Sequence, residues 1–249
     1  MNDTDLQAFE LHAKLNSYKR KVELAKELIY RALEQMPNPY IAFSGGKDST
    51  VVLDLVRSIN ADVVAQYGHE QWVLPETEQF IKSKQNLVMT ALPDRHSEWF
   101  TVWDNPDDVP PGVIYVDRNL YTEFDYAKKL LGFDGCFLGL RREENSYRRL
   151  HLGLRGPLFY CKKHGMLECN PIHNWSVMDV WAYITNQKID YNGVYDVLSR
   201  LQIELKYQRV GPISQWRALK CGQIAILKKG WPDFYNKFEL AYPQASLHV

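Results

Sequence analysis

Residues 39–49 read Pro-Tyr-Ile-Ala-Phe-Ser-Gly-Gly-Lys-Asp-Ser, and the amphipathic stretch 51–56 follows them almost directly. The first five residues form a short apolar run that predicts a buried strand. This strand ends in a glycine-containing turn, after which a helix is expected to begin. Such a turn presents backbone N–H groups and a helix N-terminus, both of which attract anions. The stretch therefore predicts a phosphate-binding turn in an α/β fold.

The residue types of this turn, residues 44–49, suit a bound phosphate group. The two glycines give the backbone freedom and let a phosphate approach closely. Lys47 adds a positive charge, and the hydroxyls of Ser44 and Ser49 can donate hydrogen bonds. Asp48 would repel phosphate, so we interpret it either as a ligand of a cation such as Mg²⁺ or as a group that orients the loop.

The composition is that of an ordinary globular enzyme. The chain has 249 residues, of which 45% are hydrophobic and 24% charged, and its 30 basic and 30 acidic residues give no net charge. Nothing global attracts such a chain to nucleic acid or to a membrane, although a local basic patch stays possible. Four irregularly spaced cysteines, a polar and acidic start and no long apolar run lead us to expect a cytoplasmic protein without a membrane segment.

Alternating strands and helices predict a mostly parallel sheet whose ligands bind at the carboxyl ends of the strands. We expect strands at residues 40–43, 62–67, 87–92 and 136–140. We expect one long helix over residues 5–35 and further helices over residues 51–56, 76–85 and 124–131. Residues 93–123 are aromatic and rich in proline, which predicts an irregular active-site loop or lid.

This pattern divides the chain into three segments. Residues 1–36 are expected to form an N-terminal helical segment, and residues 37–190 a nucleotide-binding α/β domain. Residues 191–249 are expected to form an irregular C-terminal extension that packs on the site or caps it. The extension is aromatic and basic, so nucleic-acid binding is possible, but the neutral net charge favours a packed tail with a solvated basic face.

Three further motifs follow the predicted strands. Pro75-Glu76-Thr77 suits the start of a helix. The segment 139–149, Gly-Leu-Arg-Arg-Glu-Glu-Asn-Ser-Tyr-Arg-Arg, places four arginines where they could hold phosphate or sulfate, although a salt-bridged helix start would look similar. The segment 170–184, Asn-Pro-Ile-His-Asn-Trp-Ser-Val-Met-Asp-Val-Trp-Ala-Tyr-Ile, predicts a helix that Ser176 caps, with Asp179 closing a capping box.

These motifs carry a family resemblance. Residues 44–49 resemble the PP-loop, Ser-Gly-Gly-x-Asp-Ser, of the ATP pyrophosphatase or adenine nucleotide alpha-hydrolase superfamily, and do not fit G-x-x-x-x-G-K-[ST]. The other three motifs resemble those of the sulfonucleotide reductase and ATP sulfurylase branch. Over residues 39–195 the chain is therefore similar to the phosphoadenosine phosphosulfate (PAPS) reductase family.

The resemblance implies a Rossmann-like three-layer α/β sandwich of the adenine nucleotide alpha-hydrolase type, and it implies a set of site residues. Lys47, Asp48, Arg141 and Arg148 would be catalytic, the two arginines holding the acceptor or the alpha phosphate. The register between Arg141 and Arg142 stays open. The implied nucleotide-binding residues are Ser44, Gly45, Gly46, Lys47, Asp48, Ser49, Ala42, Phe43, Tyr67, Gly139 and Arg142.

The chain departs from the reductases at their catalytic cysteine. Those enzymes carry Glu-Cys-Gly-Leu-His, whereas this chain has only Lys220-Cys221-Gly222-Gln223, and it lacks the cysteine pairs of an iron–sulfur cluster. We therefore expect an ATP pyrophosphatase or adenylyltransferase that uses ATP and Mg²⁺, with Asp48 as the metal ligand. The alternatives are a reductase of PAPS or adenylyl sulfate that uses Cys221 or an external thiol, and a non-catalytic nucleotide-binding subunit. A partner subunit or a homo-oligomer is possible.

Residues 161–173 contain four possible zinc ligands, namely Cys161, His164, Cys169 and His173. Their spacing is loose for a zinc site. The same stretch fits a hairpin of residues 158–161 and 166–170, which we favour.

Overall fold

A parallel sheet flanked by helices organises the computed structural model, which describes residues 1, 3–69, 72–91, 111–115, 127–129, 131–211 and 222–249. The strands in these residues are β1 (Pro39–Ala42), β2 (Val64–His69), β3 (Leu87–Ala91), β4 (Val113–Tyr115), β5 (Gly135–Phe137), β6 (Leu158–Cys161) and β7 (Met166–Cys169). The helices are α1 (Asp3–Ala13), α2 (Asn16–Leu33), α3 (Lys47–Arg57), α4 (Pro75–Lys82), α5 (Ser146–Arg155), α6 (Val177–Gln187), α7 (Val194–Arg200), α8 (Gln223–Gly230) and α9 (Pro232–Ala241), followed by a 3₁₀ helix (Pro243–His248). None of the described helices is both long and apolar enough to cross a membrane.

The strand order β4-β3-β2-β1-β5-β7-β6 places β1 in the interior of the sheet. The chain runs outward from β1 through β2 and β3 to β4, and then returns to place β5 on the other side of β1. All neighbouring strands are parallel except β6 and β7, which form an antiparallel hairpin. The order therefore reverses between β1 and β5, which is where open α/β sheets bind ligands. The predicted mostly parallel α/β sheet is confirmed.

The helices of the three predicted segments share one hydrophobic core. Phe9 of α1 stacks on Trp181 of α6 with ring centroids 5.9 Å apart, and Trp181 meets Tyr195 of α7 edge-on at 5.1 Å. Between α3 and α6, the Tyr183 hydroxyl donates a hydrogen bond of 2.8 Å to Asp54. Since the core runs through all three segments, the boundaries at residues 36 and 190 stay predictions.

The prediction of one helix over residues 5–35 is wrong, because α1 ends at Ala13 and α2 begins at Asn16. Leu15 has an extended backbone conformation, with φ −66° and ψ 133°, which breaks the helix. The break lets both helices bury an aromatic ring, because Phe9 packs on Trp181 while Tyr18 packs on Trp175.

Two segments predicted as irregular contain regular structure. Val113–Tyr115 pairs with β3 as an edge strand, inside the segment predicted as a lid. The rest of that lid, residues 93–110 and 116–123, lies outside the described residues. The C-terminal extension consists largely of short helices in the part that the structure describes, and aromatic side chains such as Tyr235 and Phe238 bury them against the core.

The predicted capping box at the start of α6 is confirmed. Ser176 Oγ accepts a hydrogen bond from the Asp179 N–H (3.2 Å), and the Ser176 N–H donates to Asp179 Oδ2 (2.6 Å). The same carboxylate contacts Lys21 Nζ at 2.6 Å and His12 Nε2 at 2.8 Å. Burial alone would raise the pKa of Asp179, but the hydrogen bonds from His12, Lys21 and Ser176 lower it below the usual value. Asp179 therefore ties α1 and α2 to α6 through a buried negative charge.

Replacing Asp179 with asparagine should lower the free energy of unfolding by about 2 kcal/mol at pH 7, because a buried ion pair loses its charge. The folded-state pKa lies below the unfolded value of about 3.9, so the carboxylate stabilises the fold above that value and its contribution is lost as the pH falls through the folded pKa. Urea unfolding at a series of pH values should therefore show that the free energies of unfolding of the wild type and of Asp179→Asn converge at acidic pH. Asp233→Asn, at an exposed position in the first turn of α9, is the matched control. A difference that is independent of pH would contradict the prediction.

Candidate functional site

The candidate site lies in the crevice between the carboxyl ends of β1 and β5. Residues 44–49, which we call the SGGKDS loop, connect β1 to α3. Residues 138–141 leave the end of β5 beside it. Both segments therefore face the point where the strand order reverses, and the N-terminus of α3 adds its positive end to the same crevice.

The SGGKDS loop holds its shape through its own polar groups. Gly45 has a left-handed backbone with φ +72°, which disfavours any residue with a side chain. The Gly46 carbonyl accepts hydrogen bonds from Ser49 Oγ (3.0 Å) and Thr50 Oγ1 (2.9 Å). Ser49 Oγ also accepts from the Ser44 N–H at 3.2 Å and lies 3.1 Å from Ser44 Oγ. The two serines predicted as phosphate ligands thus form hydrogen bonds within the loop in this structure.

Lys47 lies inside the crevice and is only 5% exposed. Its ammonium lies 3.1 Å from Asp48 Oδ2 and donates to the Gln208 carbonyl at 3.3 Å. Its backbone N–H donates to the Tyr195 hydroxyl at 2.8 Å. Burial raises the pKa of this tyrosine, which keeps the hydroxyl neutral. Residues of the C-terminal extension therefore contact both the backbone N–H and the ammonium of Lys47.

Asp48 joins two buried cations. Its Oδ1 accepts a hydrogen bond of 2.5 Å from Arg141 Nε, while its Oδ2 pairs with Lys47. Burial alone would raise the pKa of Asp48, but the charges of Lys47 and Arg141 lower it, so the carboxylate is ionised at neutral pH. Because both oxygens are engaged by cations, Asp48 in this arrangement does not fit a direct Mg²⁺ ligand. The geometry fits the alternative, in which Asp48 orients the loop.

The sequence left open whether Arg141 or Arg142 belongs to the site, and the structure distinguishes the two. Arg141 is 4% exposed and binds Asp48, and its NH1 donates to Glu143 at 2.6 Å. Burial alone would lower the pKa of Arg141, but the neighbouring carboxylates raise it. Arg142 is exposed, with its backbone N–H bonded to the His173 carbonyl, and it lines an open depression of about 420 Å³. Only Arg141 of the two therefore meets the SGGKDS loop.

Arg148 pairs with a glutamate of its own segment. Its side chain forms an ion pair with Glu144, and that carboxylate also accepts a hydrogen bond of 2.9 Å from the Arg141 N–H. Arg148 is therefore linked to Arg141 through Glu144. Its predicted contact with a bound acceptor stays a prediction.

Gly139 packs directly on the start of α3. A Cβ atom at this position would lie 2.9 Å from both the Asp48 carbonyl carbon and the Ser49 nitrogen. Its predicted role in nucleotide binding is thus accompanied by a packing role, because the end of β5 can approach the SGGKDS loop only without a side chain here.

Replacing Gly139 with alanine should destabilise the fold by about 1–3 kcal/mol, because the new methyl group meets backbone atoms that cannot rotate away. Urea unfolding followed by circular dichroism measures this loss. Gly211→Ala is the control, since a Cβ there meets nothing within 4 Å among the residues that the structure describes. Equal stability of the two variants would refute the packing role.

The residues expected near adenine lie at the ends of β1 and in β2. Phe43 and Tyr67 are buried, and the Phe43 ring packs against Phe80 with centroids 6.2 Å apart, while Ala42 is half-buried. The ring of Phe43 belongs to the core, so any contact of Phe43 with a base would be made by its backbone.

Residues that the sequence did not single out complete the crevice. Asn192 donates from Nδ2 to the Gly45 carbonyl (3.2 Å) and to Thr77 Oγ1 (2.9 Å). The Trp231 indole N–H donates to both carboxylate oxygens of Glu76, at 3.0 and 2.9 Å. Pro75-Glu76-Thr77 therefore connects the SGGKDS loop to the C-terminal helices. No local pattern marks Asn192, whereas Trp231 belongs to the aromatic, basic extension and Glu76 and Thr77 belong to a motif. Cys221 lies outside the described residues.

The chain is similar to a protein family and to several known proteins. The family model of the phosphoadenosine phosphosulfate reductase domain matches residues 38–218. The chain is 25% identical over 180 residues to phosphoadenosine 5'-phosphosulfate reductase of Yersinia enterocolitica, covering 69% of this chain and 71% of the relative. It is 26% identical over 210 residues to sulfate adenylyltransferase subunit 2 of a Shewanella species, covering 72% and 67%.

Two further proteins are similar to the chain, one over most of its sequence and the other in its fold. An uncharacterized protein of Methanocaldococcus jannaschii is 25% identical over 252 residues, which cover 94% of this chain and 48% of the relative. The chain thus spans about half the length of that archaeal relative. The solved structure of FMN adenylyltransferase from Candida glabrata matches with a TM-score of 0.51 at 12% identity, over 77% of this chain and 65% of that one. This likeness shows the fold alone, and it confirms the Rossmann-like α/β class.

Proposed function

Because the chain belongs to the phosphoadenosine phosphosulfate reductase domain family, we propose that it is an enzyme that binds an adenine nucleotide at the SGGKDS loop and cleaves ATP between the alpha and beta phosphates. Two relatives bear the names of enzymes, one a reductase of a sulfonucleotide and the other a subunit of sulfate adenylyltransferase. Both names refer to a sulfonucleotide-related activity. The proposed reaction is the one that the second relative's name implies.

The observation that carries the proposal is the placement of Lys47 and Arg141 on either side of one carboxylate at the N-terminus of α3. Arg141 has a second carboxylate partner in Glu143, whereas Lys47 shares its one described carboxylate partner with Arg141, so the charge of Lys47 is only partly balanced by negative charge. A nucleotide phosphate can supply that charge, and the α3 N-terminus adds N–H groups and a favourable dipole.

In the proposed reaction an acceptor oxygen attacks the alpha phosphorus of ATP. A phosphorus–oxygen bond forms to the acceptor, the bond between the alpha phosphorus and the bridging oxygen breaks, and the electron pair leaves with pyrophosphate. Lys47 stabilises the negative charge that accumulates on the leaving group. Arg141 acts as a positioning residue, because it holds Asp48 and through it Lys47. Sulfate is the first acceptor to be examined.

The described cysteines give no support to a thiol mechanism. Cys136, Cys161 and Cys169 are buried, and burial raises the thiol pKa of Cys136 and Cys169. A thiol nucleophile reacts as its thiolate, so a raised pKa makes these groups poor nucleophiles. A reductase would therefore have to use Cys221 or an external thiol, which stays the alternative proposal. The third proposal is a nucleotide-binding subunit without turnover.

The decisive experiment measures pyrophosphate release from ATP by the purified chain, with sulfate and with other oxyanion or hydroxyl acceptors, beside Cys221→Ser. Acceptor-dependent release that Cys221→Ser retains supports the adenylyl-transfer proposal. Release of sulfite from PAPS or adenylyl sulfate in the presence of an added dithiol, which supplies the two electrons and becomes a disulfide, would establish a reductase instead if Cys221→Ser abolishes it. ATP binding without turnover, together with a co-purifying protein, would favour the subunit.

A further inference from the structure

The turn of the β6–β7 hairpin brings together three side chains of metal-binding type. Cys161 Sγ lies 3.5 Å from His164 Nδ1, and His164 Nδ1 lies 2.7 Å from Glu168 Oε1. All three atoms lie within 4.8 Å of one another. A tetrahedral zinc ion with bonds of about 2.0–2.3 Å spaces its ligand atoms about 3.3–3.8 Å apart. The distance between Cys161 and His164 fits directly, and the His164–Glu168 hydrogen bond would have to open by about 0.6 Å to admit the ion.

From this geometry we propose that Cys161, His164 and Glu168 bind one zinc ion, with the fourth position open to water. Thiolate, imidazole and carboxylate groups are the ligand types that bind Zn²⁺ in proteins. A cysteine thiolate and a glutamate carboxylate together neutralise the two positive charges of the ion. Since Cys161 and Glu168 are each only 5% exposed, such neutralisation offsets the cost of burying the charges.

The sheet register explains why these three residues meet. Side chains alternate between the faces of a strand, so Glu168 and Met166 share one face of β7, and Cys161 pairs with Met166. Gly165, with φ +65°, lies in the turn, and its carbonyl accepts a hydrogen bond from Lys128 Nζ. The His164 imidazole lies beside Glu168. The hairpin predicted from the sequence is therefore the scaffold of the site.

The ligand set differs from the one that the sequence suggested. Cys169 follows Glu168 and therefore lies on the opposite face, in the main core, while His173 lies beyond the carboxyl end of β7. Glu168 takes their place. The turn lies at the amino ends of the parallel strands, whereas the SGGKDS loop lies at their carboxyl ends. The proposed ion thus fastens the edge hairpin and is separate from the nucleotide site.

Metal analysis of the full chain tests the proposal. Protein purified after growth with zinc, then dialysed, should contain about one zinc ion per chain, and His164→Ala should reduce this below about 0.1. Cys169→Ser is the matched control, because it changes a buried cysteine on the opposite face, and it should keep its zinc. Cobalt in place of zinc should give a thiolate charge-transfer band that Cys161→Ser removes.

The proposal also predicts stabilisation by metal. Zinc added to the metal-free chain should raise the melting temperature of the wild type and of Cys169→Ser but not of His164→Ala. His164 lies in the turn and is partly exposed, so its replacement should leave the fold intact, which circular dichroism checks. A wild type that takes up no zinc, or a zinc content that His164→Ala and Cys161→Ser leave unchanged, would overturn the proposal.

Discussion

Replacing Lys47 with alanine should lower the rate of pyrophosphate release from ATP by about 10²–10³-fold, because the charge that develops on the leaving group then lacks its buried counterion. The effect should be large because the ammonium lies in a site that is 5% exposed, where charges interact more strongly than in water. Steady-state kinetics with a pyrophosphate-coupled assay gives the ratio directly.

A surface lysine provides the control for this variant. Lys82→Ala removes a lysine whose side chain is 66% exposed and pairs with Glu78 across one helical turn, so it should keep full activity. The unfolding midpoint of Lys47→Ala shows whether the crevice survives the substitution. Release within twofold of the wild type, from a folded Lys47→Ala protein, would remove the lysine from the mechanism.

Replacing Asp48 with alanine should lower the free energy of unfolding by about 3 kcal/mol, because it leaves two buried cations without their shared anion. Arg141 keeps its contact with Glu143, and Lys47 keeps the Gln208 carbonyl, which limits the loss. Urea unfolding of Asp48→Ala, Arg141→Ala and the double variant gives the coupling between the two residues.

We expect a coupling free energy of about 1–3 kcal/mol in this cycle, since the two side chains share a hydrogen bond of 2.5 Å. Asp54→Asn serves for comparison, because it removes a carboxylate of the same helix that accepts from the neutral Tyr183 hydroxyl. Losses that simply add would show that Asp48 and Arg141 act independently, and would withdraw the positioning role of Arg141.

The features that could be predicted from the sequence are those written in consecutive residues. The apolar run before Ser44 marks β1, two glycines and a lysine mark the loop, and Ser176 with Asp179 marks the start of α6. In each case the interacting atoms lie within a few positions, so residue type and spacing define the geometry.

The features that could not be predicted depend on distant partners. Asn192 and Gln208 contact the SGGKDS loop from the C-terminal extension, and Trp231 contacts Glu76. No local pattern shows which polar and aromatic residues of the extension make these contacts. The break at Leu15 accompanies the packing of two aromatic rings, Phe9 on Trp181 of α6 and Tyr18 on Trp175, which precedes that helix. Glu168 resembles an ordinary exposed strand residue until the hairpin places it beside His164.

The hydrogen bond from Asn192 to the Gly45 carbonyl spans 147 positions of the chain. Closing so long a loop costs conformational entropy before any contact compensates for it, and contacts of high sequence separation slow folding. The strand β1 and the helix α3 can form early from neighbouring residues, whereas the turn between them is completed only when α7 docks. During refolding, recovery of nucleotide binding should therefore lag behind recovery of secondary structure.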